Sequence, residues 1–145
     1  MILIEYNFVL MKAYISISYN RRKSLNAEVN GIKETLLDQK IESFVFVDEF
    51  RFNSSQENEM MQQAMRSIDE SDLLIAEVSD KAIGIGIEVG YAKAKGKTVI
   101  YVRNENAEHS TTVSGISDFH IIYKDVTGLK ELFNHVISKI IKDKK

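Results

Sequence analysis

The chain contains no cysteine and no proline. Without thiols there are no disulfides, no thiolate nucleophile and no zinc site built on sulfur, and the absence suits a reducing compartment. Without proline, and with seven glycines that fall mostly in the second half, turns must be read from polar clusters and from changes of hydrophobic period. An excess of one charge is missing too. Nineteen basic residues stand against twenty-one acidic ones, a formal net charge of -2, so no whole-molecule field draws the chain to nucleic acid or to an anionic membrane. A small-molecule partner is the remaining expectation. The apolar opening, Met1 to Leu10, is interrupted by Glu5 and Asn7, lacks a basic leading region and is too short to span a bilayer. Neither a signal peptide nor a membrane anchor is expected, and the expected location is cytoplasmic.

What is present suits one hydrophobic core: 145 residues, 44% of them apolar. Residues 1–10 read as an N-terminal extension, and the sequence leaves open whether they come from an upstream start, an added edge strand or a packed tail. Residues 11–145 read as a single domain, with no internal repeat or linker.

Lys12 to Ser18 (KAYISIS) is rich in strand formers, and Leu25, Val29, Ile32 and Leu36 then recur at helical spacing within Ser24 to Gln39. Phe44 to Val47 is a short apolar run of the kind buried on both faces of a parallel sheet. Ser54 or Ser55 then caps a helix that buries Met60, Met61, Ala64, Met65 and Ile68. Asp72 to Val78 predicts a third strand, Gly84 to Lys95 a third helix and Thr98 to Val102 a fourth strand. A long polar loop from Arg103 to Ser117 leads to a last strand, Phe119 to Tyr123. Leu129, Leu132, Phe133, Val136, Ile137, Ile140 and Ile141 stripe a closing helix whose basic end, Lys139 to Lys145, suits the negative helix terminus. Strands alternating with helices predict an α/β fold: a three-layer α/β/α, doubly wound, mainly parallel five-stranded sheet in the flavodoxin-like order 2-1-3-4-5.

In such sheets ligands bind beyond the carboxyl ends of the strands, near the switch in strand order. The segment after strand three, Ser79-Asp80-Lys81-Ala82-Ile83-Gly84-Ile85-Gly86-Ile87-Glu88, holds paired glycines that let a ligand approach the backbone at a helix N-terminus. Glu88 falls near the first turn of that helix, where the positive helix end and nearby N–H groups are expected to hold it ionised. A nucleophile attacking an electrophilic sugar carbon requires that charge. On spacing alone, a surface glutamate that compensates the helix dipole is an equal reading.

The wider pattern separates the two. Asp-Leu-Leu-Ile-Ala-Glu-Val-Ser from Asp72, Gly-Ile-Gly-Ile-Glu-Val-Gly-Tyr-Ala from Gly84, and Gly96-Lys97-Thr98-Val99 resemble the nucleoside 2-deoxyribosyltransferase family and its deoxynucleotide N-hydrolase relatives. The likeness runs from about Lys12 to the closing helix. It implies that Glu88 is the nucleophile, forming a glycosyl ester that another base or water resolves, with no cofactor and no metal. It further implies that Tyr14 lies near the sugar and the carboxylate, and that the segment from Ser16 to Arg22, with Ser16, Ser18, Asn20 and Arg21, occupies the position of the substrate loop. In this chain Ile17, Tyr19, Asn20 and Arg21 replace that loop's glycine-rich character. Arg21, Arg22 and Lys23 offer guanidinium and ammonium groups to a 5′-phosphate, or are simply solvated. After strand four, Ser110 aligns with a serine that relatives present to a neighbouring subunit's phosphate site. This implies a homodimer or higher homo-oligomer with a shared active site. His109 beside it reads either as a ligand contact or as a solvated loop histidine.

Two positions depart from the family. Ala64 stands where relatives carry an acid, with Gln63 its polar neighbour, and Ala82 stands six before Glu88, where transferases have aspartate and nucleotide hydrolases serine. Asp80, Asp48 or Glu57 can substitute as the acid, and Asp80, after Ser79, is the nearest. The leading expectation is an enzyme that cleaves the N-glycosidic bond of a 2′-deoxynucleoside or its 5′-monophosphate. The alternatives are a deoxynucleoside 5′-monophosphate N-hydrolase, an NAD glycohydrolase like those of Toll/interleukin-receptor domains, and a non-catalytic nucleotide-binding module.

Overall fold

The computed structural model describes residues 11–144, so the extension expected at residues 1–10 lies outside the described residues. β1 (Met11–Ile17) leads through a 3-10 helix (Tyr19–Leu25) into α1 (Asn26–Asp38) and β2 (Ile41–Val45). A helical turn, α2 (Phe46–Glu49), precedes α3 (Glu57–Asp69), β3 (Leu73–Glu77), α4 (Ile83–Ala94) and β4 (Thr98–Asn104). The chain closes with α5 (Thr111–Ile116), β5 (Phe119–Tyr123) and α6 (Val126–Asp143). The five strands form one sheet in the order β2-β1-β3-β4-β5, every neighbouring pair parallel, as the alternating pattern predicted.

Strand alternation divides the core in two. Ala13, Ile15, Leu73, Ile75, Ile100, Val102, Ile121 and Tyr123 point to one face, where Val29, Ile32 and Leu36 of α1 and Leu129, Phe133, Ile137 and Ile140 of α6 cover them. Tyr14, Leu74, Ala76, Val99 and Tyr101 point to the other, under Ala64 and Ile68 of α3, Ile85, Val89 and Ala92 of α4, and Val113 of α5. Helices on both faces make the three layers. α1 and α6 approach closely because position 31 is glycine: a Cβ there would stand 3.2 Å from Lys130 Cγ and 3.3 Å from Val126 Cγ1. α6 begins at Asp125, whose carboxylate accepts the Gly128 N–H at 2.7 Å, a cap worth about 1 kcal/mol.

The structure corrects five local expectations. The strand expected at Phe44–Val47 spans Ile41–Val45 and lies at the sheet edge with Glu42 exposed, while Phe46 and Val47 belong to α2. An apolar run has no period of its own, and here the Phe46 and Phe50 rings meet at 5.0 Å, tilted by 35°, across a helical turn instead. Neither Ser54 nor Ser55 caps α3. Gln56 stands at the N-cap, Asn53 accepts the Ser55 N–H, and Gln56 accepts the Asn53 N–H in return. On α3 only Ala64 and Ile68 of the five expected apolar residues are fully buried, with Met60, Met61 and Met65 half-buried. The long polar loop is shorter than expected, because β4 runs on to Asn104 and α5 occupies Thr111–Ile116. Leu132, read as part of the α6 stripe, is exposed.

Candidate active site

β1 and β3 are neighbours, but their crossovers leave in opposite directions, β1 towards β2 and β3 towards β4, and in open α/β sheets a ligand crevice forms at such a switch, beyond the carboxyl ends. Period-two alternation aims residues 14, 16 and 18 at the same side of that crevice. Tyr14, Ser16 and Ser18 are all buried, so the end of β1 presents three hydroxyls in line. α4 lies above them and brings Glu88 onto the first two. The Tyr14 hydroxyl donates to Glu88 Oε2, and the Ser16 hydroxyl donates to Glu88 Oε1 at 2.8 Å. Ser18 donates to Asp80 Oδ2 at 2.6 Å, which sets the second carboxylate at the same strand end.

The residues predicted as catalytic, Glu88, Tyr14 and Asp80, thus meet around β1 with Ser16 and Ser18, although they are up to 74 positions apart in the chain. The electrostatics differ from expectation. α4 starts at Ile83, so Glu88 is in its second turn, beyond the free N–H groups, and its partners are hydroxyls of β1. Burial pushes its carboxyl from the ordinary 4.5 up to about 8, rather than the helix end holding it ionised. The two donated hydroxyl hydrogen bonds favour the anion and act against that burial.

Open space lies above Gly84 and Gly86, where an added Cβ would meet nothing within 4 Å, so a ligand has room to approach this part of α4. Ser79 is engaged elsewhere. Its Oγ donates to Glu77 at 2.9 Å and accepts the Asn104 N–H at 2.9 Å. Gln63 is turned away from Glu88, bonding Ser67 and Arg66 and lining a cavity of about 700 Å3 that runs along the outer side of β2. That cavity is the roomier one, yet it holds neither Glu88 nor Asp80. The converging carboxylates and hydroxyls mark a candidate centre better than volume does.

Asn20 and Arg21 lie exposed on the 3-10 helix, where Arg21 Nε donates to Ser24. Arg22 is not available to a phosphate: it forks onto Asp48 at 2.9 and 2.7 Å and reaches Asn26 at 2.8 Å. The same pair removes Asp48 as a free acid. Glu57 begins α3 and is exposed. His109 stands on Tyr101: the buried Tyr101 hydroxyl accepts the Ser110 N–H at 3.0 Å and lies 3.2 Å from His109 Nδ1. Ser110 is buried at the start of α5 and lines a second cavity, about 350 Å3, with Lys81, Ala82 and Gly86. Ala64 is buried in the core, as its place on the apolar face of α3 predicted. Among the described residues no group of three His, Asp or Glu side chains is placed to hold a metal ion, and no helix is long and apolar enough to cross a membrane.

Glu77, which the sequence reading passed over as a strand residue, is the only charged side chain in the buried class among the described residues. An acidic residue in a continuously apolar strand, Leu-Leu-Ile-Ala-Glu-Val, was the available signal.

The model of the family described as nucleoside 2-deoxyribosyltransferase matches residues 14–135. A Thermofilum pendens protein, provisionally named 2′-deoxynucleoside 5′-phosphate N-hydrolase 1, is 34% identical over 73 residues, covering 47% of this chain and 51% of that protein. The match spans about half the length of this curated relative. The solved CMP N-glycosidase BcmB of Clostridium botulinum superposes with a TM-score of 0.59 at 22% identity, over 83% of this chain and 97% of that one. The 2-deoxyribosyltransferase of Bacillus psychrosaccharolyticus gives 0.61 at 15% identity, over 82% and 90%. At those identities the two structures share the fold.

Proposed function

The chain belongs to the nucleoside 2-deoxyribosyltransferase family, and from that premise we propose that it cleaves the N-glycosidic bond of a 2′-deoxynucleoside, or of its 5′-monophosphate, through a glycosyl ester of Glu88. The observation that carries this reading is the convergence of Tyr14, Ser16 and Glu88, with Asp80 on Ser18 beside them, beneath the open face of Gly84 and Gly86. In the first step a Glu88 oxygen attacks the anomeric carbon while the bond from that carbon to the base nitrogen breaks. The bonding pair leaves with the base, which takes a proton from the Asp80 carboxyl. In the second step an incoming base nitrogen, or water, attacks the same carbon and the ester C–O bond breaks. Glu88 regains its charge, and Asp80 takes the proton that the nucleophile sheds. Tyr14 and Ser16 hold the carboxylate in line for attack and stabilise its charge as the ester leaves.

Water as the acceptor, on a 5′-monophosphate, is the second reading. The name and similarity of the Thermofilum pendens relative favour it. Arg21, which has no carboxylate partner among the described residues, is the guanidinium left for the phosphate once Arg22 is committed to Asp48. A homodimer or higher homo-oligomer with a shared active site is part of the proposal, supported by the exposed Ile83 and Ile87 on α4 beside the cavity that holds Ser110.

The test is to incubate the purified protein with deoxynucleosides, their 5′-monophosphates and NAD, with and without an acceptor base, and to compare it with Glu88→Ala. Free base from a deoxy compound, by wild type alone, is expected. Exchange into a new nucleoside marks a transferase, and release without exchange marks a hydrolase. Nicotinamide as the sole product, or tight binding of a nucleoside without turnover, would overturn the proposal.

A further inference from the structure

Glu77 ends β3 on the face of the sheet opposite Glu88, among Ile17, Ile75 and Tyr123. A carboxylate withdrawn from water costs free energy unless its oxygens are satisfied. Here they are. Oε1 accepts the Ser79 N–H at 2.6 Å, and Oε2 accepts the Ser79 hydroxyl at 2.9 Å and the Tyr123 hydroxyl at 2.8 Å. Ser79 Oγ in turn accepts the Asn104 N–H. One buried side chain therefore ties the ends of β3, β4 and β5 together. It also fixes the backbone at Ser79, one residue before Asp80. From Asp80 the path continues through Ser18 to the end of β1, two residues from the Ser16 that holds Glu88.

We infer that Glu77 is a positioning residue for the reaction: by clamping Ser79 from behind the sheet, it sets the direction in which Asp80 leaves β3 and so holds the Asp80 carboxyl against Ser18 and the leaving group. The turn itself supports this assignment. Val78 N–H bonds Val102 O, the last sheet contact before the chain leaves for α4. Over the next four residues, Ser79 to Ala82, the turn is held by the Glu77 and Asn104 bonds to Ser79, the Ser18 bond to Asp80, the exposed Lys81–Glu108 pair and a long Gly86 N–H bond to the Ala82 carbonyl. The clamp on Ser79 is the one of these that comes from the core. The role rests on the part proposed for Asp80.

Two substitutions separate this from a merely structural function. Glu77→Gln keeps an acceptor for the Ser79 N–H, whereas Glu77→Met is close in size and keeps none. Amide hydrogen exchange over residues 78–82 needs no substrate. In Glu77→Met these amides are expected to exchange about 10-fold faster or more while α6 exchanges as in wild type, with Glu77→Gln between the two. In base release, Glu77→Met is expected to lower kcat about 10-fold with KM changed less than about 3-fold, and Glu77→Gln to restore most of the loss. In an Asp80→Asn background, Glu77→Met is expected to cost less than about 3-fold further, because its effect passes through Asp80. Unchanged exchange at 78–82 in both variants, or losses that multiply in the double variant, overturns the inference. If Glu77→Met does not fold, Glu77→Gln carries both measurements. If wild type releases no base at all, the reading of the reaction fails instead, and the exchange experiment alone decides whether Glu77 holds this turn.

Discussion

The molecule contains the same arrangement twice, on opposite faces of one sheet. Glu88 receives a tyrosine hydroxyl and a serine hydroxyl from β1, and Glu77 receives a tyrosine hydroxyl from β5 and a serine hydroxyl from the turn after β3. Glu77 also takes a backbone N–H and is sealed at 1% exposure, whereas Glu88 is half-buried and held by side-chain hydroxyls. In both, burial raises the carboxyl above its ordinary value. The lesson is that residue types do not separate a reactive carboxylate from a structural one. What separates them is whether the remaining lone pairs are already used and whether a substrate can arrive. Glu77 is saturated behind β3, while Glu88 is half-buried at the carboxyl end of β1 and holds two hydroxyl donors.

The largest test of this contrast is to neutralise each carboxyl without changing its shape. Glu88→Gln is expected to lower kcat/KM for base release by about 10³-fold or more, while Glu77→Gln stays far nearer wild type, measured in one assay. Asp80→Asn is expected next, at about 10²-fold in kcat, since proton donation to a leaving group typically contributes ~10²–10⁴. A deoxynucleoside with a better leaving group should recover part of that loss. If Asp80→Asn loses nothing, the proton reaches the base by another route.

Removing one tyrosine oxygen from each centre should reverse the ranking. Tyr123→Phe takes a donor from a sealed carboxylate and is expected to cost about 1–3 kcal/mol of stability in urea titration, with activity little altered. Tyr14→Phe leaves a group that water can reach, so it is expected to cost under about 1 kcal/mol while lowering kcat about 10-fold. Equal stability losses would erase the distinction drawn between the two centres.

Titration sharpens it further. Because the folded-state carboxyl of Glu88 lies above its ordinary 4.5, the native protein binds more protons than the unfolded chain between about 4.5 and about 8. Its contribution to stability is full below that window and is lost as pH rises through it. Wild type should therefore lose Tm across the window more steeply than Glu88→Gln. In Asp80→Asn with the better leaving group, where the ionisation of Glu88 is what remains to limit attack, kcat/KM should climb over the same range and level off above about 8. The smallest effect is expected at the partly exposed Arg22–Asp48 pair, where Arg22→Ala should cost less than about 1 kcal/mol.

Much of this was legible beforehand. The strand order followed from strands alternating with helical stripes, and KAYISIS already placed Tyr14, Ser16 and Ser18 on one face by its period of two. Weaker signals misled. Phe46 and Val47 continue an apolar run, but β2 ends at Val45 and the two residues open α2, where the Phe46 ring meets Phe50. Thr111–Ile116 is too short and polar to announce a helix, and it forms where Val113 finds the α4 side of the core. The candidate site was read least well where a residue's partners lie far along the chain. Ser79 opens the segment expected to meet the ligand, yet its hydroxyl is taken up by Glu77 and Asn104, and Arg22, offered to a phosphate or to solvent, is paired with Asp48.

Periodicity and residue type, which are local properties of the chain, by themselves determined the layers, the sheet order and the family of this protein, together with the carboxylate to examine. Tertiary structure alone decided which hydroxyls reach which carboxylate, that Glu88 is raised rather than lowered in pKa, and that Glu77 is closed off. Burial and hydrogen-bond saturation depend on groups brought together from distant positions, and no spacing along the chain encodes them.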